Sequence, residues 1–264
     1  MKALVSKTQT EEEVLVKRVD ENVKNQLTKN FITAKKKLIL LDFDGTLVEF
    51  NDNPQLAVPD ENLLNLIQSL CEAPNTDVAI VSGRDHLFLS KWFNDFPLTL
   101  VAEHGYFIKY KNHEWSEKAI PQKNWMDNLI PLLETFTDRT PGTFIEIKQN
   151  SLVWHYRKTD PELASERIVE LKTVLNSLIS DELHIMDGDK VIEVVSGRYN
   201  KGTAVSEIIG AKEYDFIMCF GDDVTDEFMF NDLPTHAINV KVGKKNTSAM
   251  YCVDNTKAAR SLLS

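Results

Sequence analysis

The chain has 264 residues, 42% hydrophobic and 27% charged, with a net charge of −10. That is a globular composition with enough apolar residues for a core, and its negative balance argues against nucleic acid or an anionic membrane as the main partner. An anionic small substrate stays possible, because a metal and a few local cations can reverse the field inside a site.

Residues 1–36 are highly charged, and Leu15, Val19, Val23, Leu27 and Phe31 recur every four residues. The spacing predicts one helix with an apolar stripe, and the reading contains no chemistry. No apolar signal region opens the chain and no apolar run approaches the ~18 residues of a membrane span. Cys71, Cys219 and Cys252 form no C-x-x-C pair. The expectation is a soluble, cytoplasmic protein with reduced thiols.

From residue 37 the pattern alternates. Apolar runs at 38–43, 77–82, 98–102, 215–220 and 236–242 read as buried parallel strands. Amphipathic stretches at 60–71, 85–93, 202–209, 223–230 and 256–263 read as helices between or after them. The alternation predicts an α/β fold with an open, doubly wound parallel sheet, whose ligands bind at the carboxyl ends of its strands. The middle differs. Residues 143–148 and 151–157 alternate and are joined by Gln149 and Asn150, which predicts an antiparallel hairpin. A helix follows at 161–179, with Pro161 in its first turn, and short strands at 183–187 and 190–195. The organisation expected is a segment 1–36, a core in two parts (37–114 and 197–264), and an inserted α+β module at 115–196.

Four stretches fall at predicted strand ends or helix starts: "DFDGT" (42–46), "VSGR" (81–84), "NKG" (200–202) and "GDDVTDE" (221–227). The sheet rule brings them to one edge. A carboxylate such as Asp42 is ionised at neutral pH and can attack phosphorus without an activating base. Two anions repel, so a cation must sit between them. Asp222 can share a hard ion with Asp42, and oxygen ligands beside a phosphate suit Mg2+. A lone Asp42 would also suit a turn or cap, and Asp223 suits a helix cap. Asp44 is the candidate acid and base; a plain Asp-Gly turn would leave Asp42 unexplained. Thr46 offers a hydroxyl and an amide to a phosphate, as do Ser82 and the backbone at Gly83. Arg84 suits either a substrate or a surface acid. Lys201 precedes a predicted helix start, where the dipole disfavours cations, so its place calls for an anionic partner.

In this order the four stretches resemble the motifs of the haloacid dehalogenase (HAD) superfamily of phosphatases. The insert resembles the α/β cap of its sugar-phosphatase branch. With "AEHG" (102–105) and "EIKQNSLVWHYR" (146–157), the chain resembles the trehalose-6-phosphate phosphatase family over 37–264. Segment 1–36 is similar to the linker joining synthase to phosphatase in bifunctional trehalose enzymes. The resemblance implies a Rossmann-like HAD core with an inserted cap. The implied activity is Mg2+-dependent hydrolysis of trehalose 6-phosphate to trehalose and phosphate, through an aspartyl phosphate on Asp42. Asp44 would be the acid/base. The ion would be held by the Asp42 side chain, the Asp44 carbonyl and Asp222, and the phosphate by Ser82 and Lys201. Glu146, Lys148 and Glu193 of the cap would grip glucose hydroxyls, helped by Glu103 of the core. A trehalose-phosphate synthase domain or subunit is an implied partner. Two alternatives come from the same superfamily, another sugar phosphatase or a phosphomannomutase-like enzyme. A third is a catalytically silent module supporting a synthase, although every predicted catalytic group is present.

The insert's own pattern agrees with a one-sided sheet. Glu146 and Lys148 share one face and Ile145 and Ile147 the other, while His155 and Arg157 lie opposite Leu152, Trp154 and Tyr156. One departure concerns "VIEVVSGRYNKG" (191–202), which lacks a Pro-x-Gly pattern before Lys201.

Overall fold

The computed structural model describes residues 16–118, 124–180, 183–196, 199–243 and 246–264. In chain order the elements begin with β1 (Lys17–Arg18), α1 (Glu21–Thr33), β2 (Lys37–Leu41), α2 (Glu61–Glu72), β3 (Thr76–Val81), α3 (His86–Phe93) and β4 (Thr99–Ala102). Then come β5 (Phe107–Lys109), β6 (Trp115–Glu117), α4 (Asn124–Asp138), β7 (Phe144–Ile147), β8 (Ser151–His155), α5 (Pro161–Leu178), β9 (Leu183–Gly188) and β10 (Val191–Ser196). The chain closes with α6 (Lys201–Ile209), β11 (Phe216–Gly221), α7 (Val224–Asp232), β12 (Ile238–Val242), β13 (Tyr251–Val253) and α8 (Thr256–Leu263).

A nine-stranded sheet carries the order β1-β13-β12-β11-β2-β3-β4-β5-β6. It is parallel from β1 to β4 and antiparallel at β5 and β6. The continuous apolar run of β2 is divided by the period of two. Ile39 and Leu41 join the cluster with Leu63 and Ile67 of α2, and Leu38 and Leu40 join the cluster with Val205 of α6 and Met229 of α7. Both faces are thus covered, which is why the strand lacks polar alternation. From β2 the chain runs outward through β3 and β4, and later returns through β11 on β2's other side. The order of strands therefore reverses between β2 and β11, where sheets of this type bind ligands. Among the described residues no helix is long and apolar enough to cross a membrane.

The second sheet, β7-β8-β10-β9, is antiparallel throughout. Leu129 and Leu133 of α4 and Leu171 and Leu175 of α5 cover one face through Leu152, Trp154, Ile192 and Val194. The register places Glu146, Val153, Glu193 and Met186 in one row across the other face.

Three expectations change. The N-terminal stripe is not one helix: Asp20 caps α1 by accepting from Val23 N, so Val19 precedes it and Lys17–Arg18 is an extended edge strand beside Tyr251–Cys252. Leu15 lies outside the described residues. The insert was placed from residue 115, yet Trp115–Glu117 pairs with Phe107–Lys109 in the large sheet. Its three-residue strand is too short for a period of two to be read from sequence. Ile147, expected on the apolar face, is 60% exposed because β7 is an edge strand that ends there. Helix α4 was not anticipated; Pro131 lies inside it and argues against a helix locally.

Candidate active site

Asp42 follows the last residue of β2, and its amide continues the ladder by donating to the Phe220 carbonyl at 3.0 Å. Asp222 follows β11, the neighbouring strand. Lys201 is the first residue of α6, whose start is fixed by an Asn200–Thr203 capping box. These three residues meet at the reversal point, all buried.

The Lys201 ammonium donates to Asp42 Oδ1 at 2.6 Å and to Asp226 Oδ1 at 2.7 Å. Asp226 Oδ2 accepts from the amides of Asp222 and Asp223, at 2.8 and 2.9 Å, and so shapes the turn that presents Asp222. Carboxylate oxygens of Asp42, Asp222 and Asp226 lie within 4.8 Å of one another. Burial and the charge of Asp226 push the Asp42 carboxyl up to about 7, against the pull of Lys201. Burial, then Asp42 and Asp226, push Asp222 up to about 9. Burial opposes the charge on Lys201, but Asp226 and Asp42 outweigh it and hold its ammonium above the usual lysine range.

This crowding of negative charge fits a bound cation. Asp42 Oδ2 is buried without a hydrogen-bond partner among the described residues. Gly45 sits at φ +79°, and a Cβ there would lie 2.3 Å from Asp222 Oδ2, so glycine keeps the space beside that carboxylate open. The donors are all oxygen and suit a small hard divalent ion.

Other expected residues take up unanticipated partners. Arg84 does not reach outward. Its Nε and Nη2 clamp both oxygens of Asp44, at 2.7 and 2.5 Å, and its Nη1 donates to the Pro54 carbonyl at 2.7 Å. Thr46 is fully buried and its hydroxyl donates to Asp222 Oδ1 at 3.4 Å, so the side chain faces the carboxylate cluster. The tight turn closed by the Gly45 amide on the Val48 carbonyl takes it beneath the cleft. Ser82 follows β3, and its hydroxyl accepts from the Arg84 amide at 3.1 Å.

The second sheet closes the cleft over this floor. Glu146, Lys148, His155, Arg157 and Glu193 line it together with Asp42 and Asp44. Glu193 is 5% exposed; one oxygen accepts from Ser151 Oγ at 2.5 Å and Lys148 Nζ at 3.3 Å, and the other meets His104 Nε2 at 3.1 Å. Burial raises this carboxyl, but Lys148 and His104 outweigh it and hold it well below the usual range. Glu146 meets His155 Nε2 at 2.8 Å. Arg157 donates to Asp189 at 2.5 Å. Glu103, at the end of β4, accepts from the Asn150 amide at 3.0 Å.

Sequence reasoning missed Asp226, His104 and Ser151. Asp226 was visible only as part of "GDDVTDE"; its spacing of four from Asp222 on a helix start was the available signal.

The profile of the trehalose-phosphatase family matches residues 40–263. The chain is 39% identical to the bifunctional trehalose-6-phosphate synthase/phosphatase of Thermoproteus tenax, over 99% of this chain and 36% of that protein. It is 40% identical to trehalose-phosphatase of Saccharomyces cerevisiae, over 79% of this chain and 26% of that protein. The chain thus spans only about a quarter to a third of these relatives. Among solved structures, the C-terminal domain of C. albicans trehalose-6-phosphate phosphatase superposes with a TM-score of 0.88 at 30% identity, covering 94% of this chain and 97% of that one.

Proposed function

Because the chain belongs to the trehalose-phosphatase family, we propose that it hydrolyses trehalose 6-phosphate to trehalose and phosphate. The observation that carries the reading is the state of Asp42. One oxygen is fixed on Lys201 and the other is buried without a partner among the described residues, at the strand reversal and beneath a second sheet lined with carboxylates.

In this reading Asp42 Oδ2 attacks phosphorus, and the bond from phosphorus to the sugar C6 oxygen breaks. Asp44, whose two oxygens accept from Arg84 in the unliganded site, must give up one of those bonds to carry a proton; it then gives that proton to the leaving oxygen and takes one from the water that cleaves the aspartyl phosphate. Lys201 and Ser82 hold the phosphoryl oxygens. Mg2+ would be held by the side chains of Asp42 and Asp222 and the carbonyl of Asp44. When bound it offsets the repulsion between carboxylate and phosphate. Glu146, Lys148 and Glu193, on the cleft face of the second sheet, hold the sugar hydroxyls, and that sheet acts as a cap that excludes water during transfer. The core takes in 37–117, through the strand Trp115–Glu117, and 197–264, with the cap between, and a trehalose-phosphate synthase domain or subunit supplies the substrate.

The test is phosphate release from a panel of sugar phosphates, with Mg2+ and with a chelator. Turnover of trehalose 6-phosphate that stops with chelator is expected. Fast release from glucose 6-phosphate or sucrose phosphate, with none from trehalose 6-phosphate, overturns the substrate.

A further inference from the structure

We propose that His104 is a positioning residue for sugar specificity, fixing the Glu193 carboxylate of the second sheet in its sugar-facing orientation only when that sheet is seated on the core. The inference rests on the function proposed above and adds to it a residue given no role there.

His104 occupies a costly backbone position. Glu103 and His104 lie consecutively in the left-handed region, at φ 46° and 57°. Such a residue carries steric strain and persists only where the surroundings impose it. Two hydrogen bonds impose it here. The Glu103 amide donates to the Arg84 carbonyl at 2.9 Å and the His104 amide to the Ser82 carbonyl at 3.0 Å. The turn is thereby fastened to the loop after β3.

The ring then lies across Gly83. A Cβ at that glycine would come within 2.5 Å of His104 Nε2, so its lack of a side chain is what admits the imidazole. From there Nε2 meets Glu193 Oε2 at 3.1 Å, both residues being more than nine-tenths buried. The contact joins the two sheets across 89 residues of chain. Two further bonds cross at the same place: Lys148 Nζ to the Gly83 carbonyl at 3.0 Å, and the Asn150 amide to Glu103 Oε2 at 3.0 Å.

The other sugar-facing acid is held differently. Glu146 is bonded to His155, and both residues belong to the second sheet, where His155 also stacks flat on Phe144 at 4.2 Å. That acid keeps its partner wherever the sheet moves. Glu193 keeps Ser151 and Lys148 on Oε1, both from the β7–β8 hairpin of its own sheet, but Oε2 loses His104 as soon as the sheets separate. A substrate that touches both the floor and the cap is therefore read by an acid whose setting is completed at closure, whereas a small phosphoester that touches only the floor does not call on it.

The experiment compares trehalose 6-phosphate with p-nitrophenyl phosphate on the full chain with Mg2+. His104→Asn tolerates a left-handed backbone but is too short to reach Glu193. It should raise KM for trehalose 6-phosphate roughly tenfold, the scale of one lost hydrogen bond to a charged group, and leave kcat/KM for p-nitrophenyl phosphate within about twofold. His104→Gln, whose amide reaches further, should recover most of the loss. An unchanged KM, or an equal fall on both substrates, overturns the proposal. Failure of the unsubstituted chain to release phosphate from trehalose 6-phosphate while cleaving p-nitrophenyl phosphate would instead remove the function itself.

Discussion

The Lys201 ammonium lies 2.6 Å from Asp42 Oδ1, joining residues 159 apart in sequence. The first turn of a helix is a poor place for a cation, since the dipole there is already positive. The lysine is held by two buried carboxylates, of Asp42 and Asp226, that outweigh this. A charged partner for Lys201 was legible from its position. That the partner would be the nucleophile candidate itself was not.

Asp42→Asn should lower phosphate release from any substrate by about a thousandfold or more, the scale of losing a covalent nucleophile. The same change removes a carboxylate whose charge burial and Asp226 disfavour, so in metal-free buffer at pH 8 the melting temperature should not fall. Steady-state assays and differential scanning calorimetry on the same sample check both halves.

Lys201→Met leaves Asp42 and Asp226 buried without their shared cation. Breaking a buried pair in this way costs about 3–5 kcal/mol. Urea denaturation should show that loss, well beyond the ~1 kcal/mol expected of removing an exposed pair such as Arg260–Asp60.

Gly45→Ala places a Cβ 2.3 Å from Asp222 Oδ2 at a backbone φ of +79°. Strain of about 1–3 kcal/mol should lower the melting temperature. The stabilisation that Mg2+ confers should shrink as well, read as the melting shift between chelator and saturating Mg2+.

Glu193 is a carboxyl held below its usual value of 4.5. A depressed carboxyl adds stability that is complete above its unfolded value and is lost as pH falls through the folded one. The stability gap between the unsubstituted chain and Glu193→Gln should therefore narrow below about pH 4.5. A gap that widens as pH falls below about 4.5 would contradict the ion-pair assignment. Urea midpoints measured across this range decide it.

Much of the fold is legible because its cause is local. A buried parallel strand must be apolar on both faces, so "LILL" before Asp42 announces itself, as do the runs 77–82 and 215–220, whose strands end at Val81 and Gly221. The hairpin around Gln149 and Asn150 shows for the same reason, since alternation is a property of neighbouring residues. Trp115–Glu117 and α4 escaped because three residues are too few for a period and Pro131 argues against the helix that contains it.

By itself the sequence determined which residues fall at strand ends and helix starts along one sheet edge, and hence that Asp42, Asp44, Ser82, Lys201 and Asp222 come together. Its order of motifs determined the family. Only the tertiary structure decided who pairs with whom: Arg84 with Asp44, Thr46 with Asp222, His104 with Glu193. The reason is physical. Burial follows from short-range patterning, which a single strand or helix carries within itself. The partner of a buried charge depends on which strands adjoin and how far the two sheets approach, and no stretch of chain contains that distance.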